Sequence, residues 1–149
     1  MSDEVNIRNK RASHEYEFLQ KYTAGMQLLG TEIKSIRAKE ANLRDAHCTF
    51  IGGELWVKNL QISEYSHGGM SNHQPKRDRK LLLNARELDK LFKGSSTKGL
   101  AIIPLRLFIG KRGFAKLEIA LAKGKKLYDK REDLKKKDVQ REIDRSLKS

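Results

Sequence analysis

The chain has very little of the chemistry on which secreted proteins and metal-binding domains depend. Cys48 is the only cysteine among 149 residues, so neither an intramolecular disulfide nor a cysteine-based zinc cage can form. A reducing cytoplasm suits such a chain. No apolar run is long enough to cross a bilayer, and the polar stretch over 1–10 lacks the apolar core of a signal peptide. We therefore expect a soluble, cytoplasmic protein.

Acidic residues are scarce relative to basic ones. The sequence holds 32 Lys and Arg against 19 Asp and Glu, which gives a net charge of +13. The segment from Lys123 to Ser149 has 11 basic and 6 acidic residues and therefore carries +5 of that total. Nucleic acid is the favoured partner, because each neutralised phosphate releases condensed counterions. An anionic membrane is the competing partner, but the tail lacks a wide aromatic and leucine face.

Patterns typical of catalysis and metal binding are also missing. The loop histidines His67 and His73 lie six residues apart without the further ligands that zinc needs, and no phosphate-binding glycine motif is present. The one cluster of acid, base and nucleophile groups has no second motif to support it: Asp45, His47, Cys48 and Glu54. We predict a protein that is not an enzyme and needs no cofactor or metal, with a metal-dependent nuclease as the weak alternative.

Hydrophobic periodicity predicts a mainly β body with an α+β composition. Gly52-Gly53 indicates a hairpin turn, Pro104 fits an edge or a bulge better than a central strand, and a long loop is predicted over 66–79. The predicted strands are 14–22, 48–51, 54–57, 60–65, 100–109 and 114–122. So many short strands on about 120 residues suggest a small antiparallel β-barrel of the oligonucleotide-binding type with short flanking helices.

The first predicted helix spans 30–38. Thr31 is predicted to cap it, and Glu32 lies in the first turn, where the helix dipole favours a negative charge. Ile33 and Ile36 share one side of this helix.

The second predicted helix has the strongest local signature. Asn84 is its predicted N-cap, Glu87 completes a capping box, and Leu83 can staple onto Leu88. The predicted buried stripe is Leu88, Leu91 and Phe92, and the predicted stop is Gly94.

Several blocks, in the same order along essentially the whole chain, closely resemble the bacterial SsrA-binding protein family, also called small protein B or SmpB. The blocks are NKRASHEY at 9–16, AG at 24–25, GTEIKSIRA at 30–38, ANL at 41–43, RKLLLN at 79–84 and AKGKKLYDKR at 122–131. The resemblance implies an oligonucleotide-binding-like barrel with three helices that binds transfer-messenger RNA (SsrA RNA). It also implies delivery of that RNA to stalled ribosomes for trans-translation.

The resemblance assigns RNA contacts to residues of the body. A folded RNA offers phosphates, 2′-hydroxyls and unstacked bases, which lysines, amides and flat rings can bind. His14 and Tyr16 lie on one side if the predicted strand has begun, although periodicity alone would bury Tyr16 and Leu82 in the core. The family has an acidic residue just before Ala24-Gly25, and this chain has Thr23 at that position. The difference argues against an RNA contact through a carboxylate at this position. The predicted RNA-binding residues are Asn9, Lys10, His14, Tyr16, Leu82, Lys116, Lys123 and Lys125.

The chain is predicted to consist of a barrel domain over 1–123 and a basic C-terminal tail over 124–149. Residues 1–8 of the barrel domain are predicted to be flexible. The resemblance implies a tail that is disordered alone and helical in the ribosome, where it occupies the decoding region of the small-subunit rRNA and the empty mRNA path. Its predicted ribosome contacts are Tyr128, Asp129, Lys130 and Arg131. Leu127 and Leu134 share a helical face. We expect a monomer, and the alternative is a general RNA-binding or ribosomal protein with a solubilising tail.

Overall fold

The structure is a computed structural model, and it describes residues 5–125. The strands are β1 (Asn6–Arg8), β2 (Tyr16–Met26), β3 (Ala41–Asn42), β4 (His47–Ile51), β5 (Glu54–Lys58), β6 (Gln61–Ile62), β7 (Arg79–Leu82), β8 (Leu100–Ile109) and β9 (Ala115–Gly124). The helices are α1 (Ala12–Glu15), α2 (Gly30–Arg37) and α3 (Ala85–Ser95), and a 3-10 turn lies at Gly69–Ser71.

Seven strands form an antiparallel sheet in the order β1-β8-β4-β5-β7-β2-β9, and β9 also pairs with β8. Because this last pairing returns the sheet to β8, the strands from β8 to β9 enclose a barrel. The strands β1 and β4 share one edge of the long strand β8 at different heights. The strands β3 and β6 form a separate two-stranded sheet. The predicted antiparallel barrel with short helices is confirmed.

The core lies inside the barrel, and a smaller cluster lies outside it. Leu117, Ile119 and Leu121 on β9 are buried in the main core, so the alternate residues of this strand face outward. The outer cluster forms where α1 covers small side chains of β9 and the bulged part of β8. Its buried members are Ala12, Ile103, Leu105, Ala120 and Ala122.

Three local predictions are confirmed. The strands β4 and β5 form the hairpin, and Gly52 and Gly53 take φ values of 59° and 80° in its turn. The pairing of β8 with β9 shifts its register just after Pro104, as expected for a proline at a bulge. At the start of α3, the Asn84 side chain accepts from the Glu87 N–H at 2.8 Å, and the Asn84 N–H donates to the Glu87 carboxylate at 3.3 Å.

The strand predicted from residue 14 begins instead at Tyr16 and continues to Met26. His14 lies in α1, so the prediction that His14 and Tyr16 share one side of a strand is wrong. The aromatic alternation over 14–22 resembles a strand throughout, whereas the helical turn depends on burial of Ala12 in the outer cluster. That contact is distant in sequence, and local periodicity does not reveal it.

The predicted cap of α2 is wrong. The N-cap residue is Leu29, whose backbone N–H donates to the Glu32 carboxylate at 2.8 Å. The Thr31 hydroxyl instead bonds to Nδ1 of His73 at 2.9 Å, so a tertiary contact takes the hydroxyl that the sequence assigns to capping.

Two predictions about α3 are also wrong. Phe92 is 52% exposed and meets Phe50 edge to face, with 5.2 Å between the ring centroids. Gly94 lies inside α3, which continues to Ser95. A Cβ at Gly94 would overlap Cδ2 of Leu121, so this glycine allows the helix to approach β9 closely rather than ending the helix.

Short strands account for the other differences. The sequence predicts flexibility over 1–8, yet 6–8 form β1 and pair with β8. The strand predicted over 60–65 is reduced to β6, which pairs with β3 outside the barrel. Arg79 is not in the loop, because it opens β7 between β5 and β2. Strands of two to four residues carry too little alternation to be recognised.

A buried ion network joins α2 to β7. The Glu32 carboxylate accepts hydrogen bonds from Arg77 and from Nε of Arg79, each at 2.5 Å, and the Glu32 and Arg79 side chains have no exposed area. Arg79 also donates to the carbonyl of Leu60. Burial raises the pKa of Glu32, but the hydrogen bonds from Arg77 and the Leu29 N–H, together with the charge of Arg79, outweigh burial and hold that pKa below its ordinary value.

Candidate nucleic-acid interface

One row of residues crosses the outer face of five neighbouring strands. Strand pairing places Leu82 beside Gly25, Gly25 beside Lys116, Lys116 beside Phe108, and Phe108 beside Asn6. Leu82 is 45% exposed. A Cβ on Gly25 would lie 3.4 Å from Cβ of Leu82, so the glycine lets Leu82 lie close over β2. The row therefore combines an apolar side chain, a cation and an aromatic ring on a rigid sheet.

The next row adds further cations. Thr23 pairs with Glu118, Glu118 with Arg106, and Arg106 with Arg8. The Arg106 Nε donates to the Glu118 carboxylate at 3.4 Å, and its guanidinium lies 4.1 Å from the centroid of the Phe108 ring. Thr23 has no carboxylate, but its partner on the neighbouring strand, Glu118, places one beside it.

The remaining predicted contacts of β2 and β9 lie at the other end of the barrel, beside α1. Tyr16 opens β2 opposite the last residue of β9, and Lys123 is exposed one position earlier. The backbone N–H of Lys125 donates to the carbonyl of Glu15 at 2.8 Å, and its ammonium donates to the carbonyl of Ser13 at 2.5 Å. Tyr16 is half-buried against the outer cluster, so one part of its ring supports α1 and the other is accessible.

Asn9 and Lys10 lie between β1 and α1, and His14 is exposed on α1. The Asn9 N–H donates to the carbonyl of Leu105 at 2.8 Å, and its side-chain Nδ2 donates to the carbonyl of Pro104 at 3.0 Å. One donor of the Asn9 amide therefore fixes this loop on the bulge of β8. Lys10 is exposed on the loop that Asn9 holds in place.

Most predicted contacts of the body fall into two groups. Leu82 and Lys116 lie beside Gly25, whereas His14, Tyr16 and Lys123 lie at the Tyr16 end of β2, with Lys125 beside them. Asn9 and Lys10 lie between the two groups, at the bulge of β8 and beside Arg106. Tyr16 and Gly25 lie nine positions apart on β2, which corresponds to about 30 Å. A ligand that touches both groups must be a large molecule with negative charge distributed over that distance.

Sequence reasoning missed several residues that the outer face presents. Arg8, Arg106 and Phe108 join the two rows, and Lys21 lies over the ring of Phe18 at 5.7 Å. The alternation of buried Leu107 with its neighbours was a usable signal for β8. Arg8 reaches the outer face only because β1 pairs with β8, and the sequence does not reveal that pairing.

The residues proposed for a nuclease do not form a site. Burial raises the pKa of the Cys48 thiol far above its ordinary value, and Glu54 is paired with Lys80. His73 is buried, with Nε2 donating to the carbonyl of Ile62 at 2.8 Å. Within 5–125, no group of three or more acidic, histidine or cysteine side chains is placed to hold a metal ion. Over the same residues, no helix has the length and apolar character needed to cross a membrane.

The predicted tail contacts Tyr128, Asp129, Lys130 and Arg131 lie outside the described residues, as does most of the predicted tail domain. The described chain ends at Lys125, one residue beyond β9.

Known proteins resemble the chain over nearly its full length. A family model described as SmpB protein matches residues 6–149. An SsrA-binding protein of Phocaeicola vulgatus is 58% identical over 97% of this chain and 96% of its own. That of Cytophaga hutchinsonii is 60% identical over 95% of this chain and 92% of its own, and that of Carboxydothermus hydrogenoformans is 48% identical over 99% and 98%.

A solved structure resembles the fold as well. It is described as "tmRNA-SmpB: a journey to the center of the bacterial ribosome", and one of its chains superposes with a TM-score of 0.70 at 42% identity. The similarity covers 81% of this chain and 85% of that chain.

Proposed function

The chain belongs to the SmpB protein family, and from this premise we propose that it binds transfer-messenger RNA and delivers it to stalled ribosomes for trans-translation. The protein is an RNA-binding component of this process and not an enzyme. The observation that carries the proposal is the rigid, cationic outer face of the barrel, which presents Lys116 and Arg106 beside the half-buried ring of Phe108 and the exposed Leu82. Such a face fits folded RNA, because phosphates need cations and unstacked bases or riboses need flat apolar contacts.

The row at Gly25 supplies one contact region. Leu82 can pack against a ribose or a base face, and Lys116 can meet a phosphate beside it. Both side chains stand on paired strands, so RNA binding costs little backbone entropy and mainly the ordering of the side chains themselves.

The α1 end supplies a second contact region. His14 and Lys123 are exposed there, and Tyr16 offers the accessible part of its ring. Because the two regions lie about 30 Å apart along β2, we propose that they contact separate parts of the transfer-RNA-like domain and so select its folded shape. An RNA that carries the same charge but lacks this fold would not match both regions at once.

The tail then acts on the ribosome. We assign Tyr128 to stacking on an rRNA base, Lys130 and Arg131 to rRNA phosphates, and Asp129 to orienting a neighbouring base or arginine, all within the decoding region. The remainder follows the empty mRNA path. Few apolar groups alternate with many lysines over 124–149, so helix formation in this segment is expected to require the surrounding phosphates.

Capture of RNA from a bacterial lysate tests the proposal. The purified, tagged protein is incubated with lysate at near-physiological salt, and the retained RNA is sequenced. We expect one dominant transfer-messenger species, and its loss when Lys116→Glu replaces the wild type. Retention of ribosomal and transfer RNAs in proportion to their abundance would instead identify a general RNA-binding protein.

A further inference from the structure

A cleft that includes the predicted contacts Asn9 and Lys10, but extends well beyond them, lies between β1 and the turn that follows β3. It has a volume of about 360 Å³, within the range of about 300–1,000 Å³ typical of small-ligand sites. Its floor is apolar, formed by Ile7, Ala41 and the buried Leu43. Its polar rim consists of Arg8, Asn9, Lys10, Arg11, Asn42 and Arg44.

The four cations of this rim have no acidic partner. Some lysines and arginines elsewhere in the barrel are paired, as Lys58 is with Asp78 and Arg106 with Glu118. Among residues 5–125, no carboxylate lies within salt-bridge distance of the rim cations, which are Arg8, Lys10, Arg11 and Arg44. Glu15 and Asp45 line the adjoining cleft with Arg11 and Arg44, but at no ion-pair distance. Four unpaired cations around one cleft repel each other until an anion binds.

Arg44 is held at the rim by a fixed turn. Its backbone N–H donates to Oδ1 of Asn42 at 2.7 Å, and the Ala46 N–H donates to the carbonyl of Leu43 at 3.0 Å. Leu43 anchors this turn in the barrel core. The guanidinium therefore projects from a preorganised backbone rather than from a mobile loop.

The cleft continues the outer face of the barrel. Arg8, Asn9 and Lys10 line both this cleft and a second one that contains Lys21, Arg106 and Glu118. A strand bound on the outer face can thus pass over β1 into the cleft without leaving a cationic surface. The apolar floor distinguishes the site from a simple anion site, because it can also accept the ribose or base attached to a phosphate.

We propose that this cleft binds a phosphodiester segment of the RNA and that Arg44 and Arg11 contact its phosphates. Neither arginine is among the RNA-binding residues that the family resemblance implies. The inference rests on the proposed function for the identity of the RNA. An extended RNA strand fits better than an acidic peptide, because the cleft lies on the same continuous cationic path as the outer face and repeats its combination of cations and apolar surface.

The test compares Arg44→Gln with Lys90→Gln in the full-length protein. Both variants remove one exposed positive charge, but Lys90 lies on α3, away from the cleft lining. The probe is the isolated transfer-RNA-like domain of transfer-messenger RNA, and affinity is measured over a series of salt concentrations. Loss of one phosphate contact lowers the slope of log affinity against log salt by about 0.7–0.9. At about 0.15 M salt this corresponds to about four- to sixfold weaker binding.

We expect this loss for Arg44→Gln and wild-type behaviour for Lys90→Gln. Phosphate-ethylation interference gives the second readout. Ethylation of at least one phosphate should weaken RNA binding by the wild type but should not weaken RNA binding by Arg44→Gln. An unchanged slope and an unchanged interference pattern in Arg44→Gln would overturn the cleft assignment. If the wild type binds this domain no better than a duplex of equal length, the proposed function fails, whereas a lower slope in Arg44→Gln on both RNAs would still support the cleft.

Discussion

The backbone N–H of Lys125 donates to the carbonyl of Glu15 at 2.8 Å, which ties the end of the described chain to α1. The Lys125 ammonium reinforces this link through the carbonyl of Ser13. The chain therefore leaves the barrel at a fixed point beside His14 and Tyr16. We infer that RNA bound near α1 also lies beside the start of the tail, so the two proposed activities meet there.

Truncation after Lys125 should separate these activities. The shortened protein keeps all of β9 and both hydrogen bonds to α1, so we expect RNA binding like that of the full chain and no tagging of nascent chains on stalled ribosomes. Truncation after Lys123 should in addition lower the free energy of unfolding by about 1–3 kcal/mol, because hydrogen bonds of the strand end and of Lys125 are lost. Tagging by either truncated protein would show that the tail is misassigned.

Lys116→Glu should weaken capture of the RNA before any ribosomal step. Reversal of a phosphate contact replaces attraction with repulsion, and we expect about 10- to 30-fold weaker binding at about 0.15 M salt. Equilibrium binding of the transfer-RNA-like domain provides the measurement. The matched control is Lys90→Glu, which makes the same change of charge on α3. Equal weakening by both substitutions would mean that net charge, and not this position, governs binding.

Gly94→Ala should destabilise the fold. The added Cβ would overlap Leu121, and overpacking of this kind costs about 1–3 kcal/mol. Thermal or denaturant unfolding measures the change. Gly30→Ala is the control, because it also places a Cβ in a helix but meets nothing within 4 Å, and we expect it to be neutral or stabilising by up to about 1 kcal/mol. A Gly94→Ala protein as stable as Gly30→Ala would contradict the close packing of α3 on β9.

Much of the barrel could be predicted because its long strands and the capping box of α3 are local signals. The strands β8 and β9 alternate over ten residues each, and Gly52-Gly53 specifies its hairpin without help from distant residues. What escaped prediction depends on distant contacts. The pairing of β1, the burial of Ala12 and the packing of Gly94 exist only once β8 and β9 are in place.

The candidate site shows the same division. Resemblance to a family identified Lys116 and Leu82, but only strand register places them on either side of Gly25. Arg44 gave no signal in the sequence, because its cleft partners lie more than 30 positions away, in 8–11. The sequence motifs therefore identify part of the interface, and the strand topology adds residues, such as Arg44, that the motifs do not include.

The ion network of α2 makes the stability of the fold sensitive to acid. The pKa of Glu32 is lower in the folded protein than its ordinary value of 4.5. Its contribution to the free energy of unfolding is therefore fully present above pH 4.5 and is lost as the pH falls through the lowered folded pKa. Denaturant unfolding between pH 7 and pH 3 should show this loss.

Glu32→Gln should remove the same contribution at neutral pH. The substitution leaves Arg79 buried without its counter-charge, and we expect destabilisation of about 3–5 kcal/mol at pH 7 with a weaker dependence on acid. Glu54→Gln, which breaks the exposed pair with Lys80, should change stability by less than about 1 kcal/mol. Similar effects of the two substitutions would argue against a buried pair.

The measurement that tests the central claim most directly is a competition between two RNAs at near-physiological salt. The full-length protein is offered the transfer-RNA-like domain of transfer-messenger RNA and a duplex of the same length, and both affinities are determined. We predict at least about tenfold tighter binding to the transfer-RNA-like domain, a difference of about 1.4 kcal/mol. Equal affinities would contradict the claim that two separated regions of the barrel recognise the shape of that RNA.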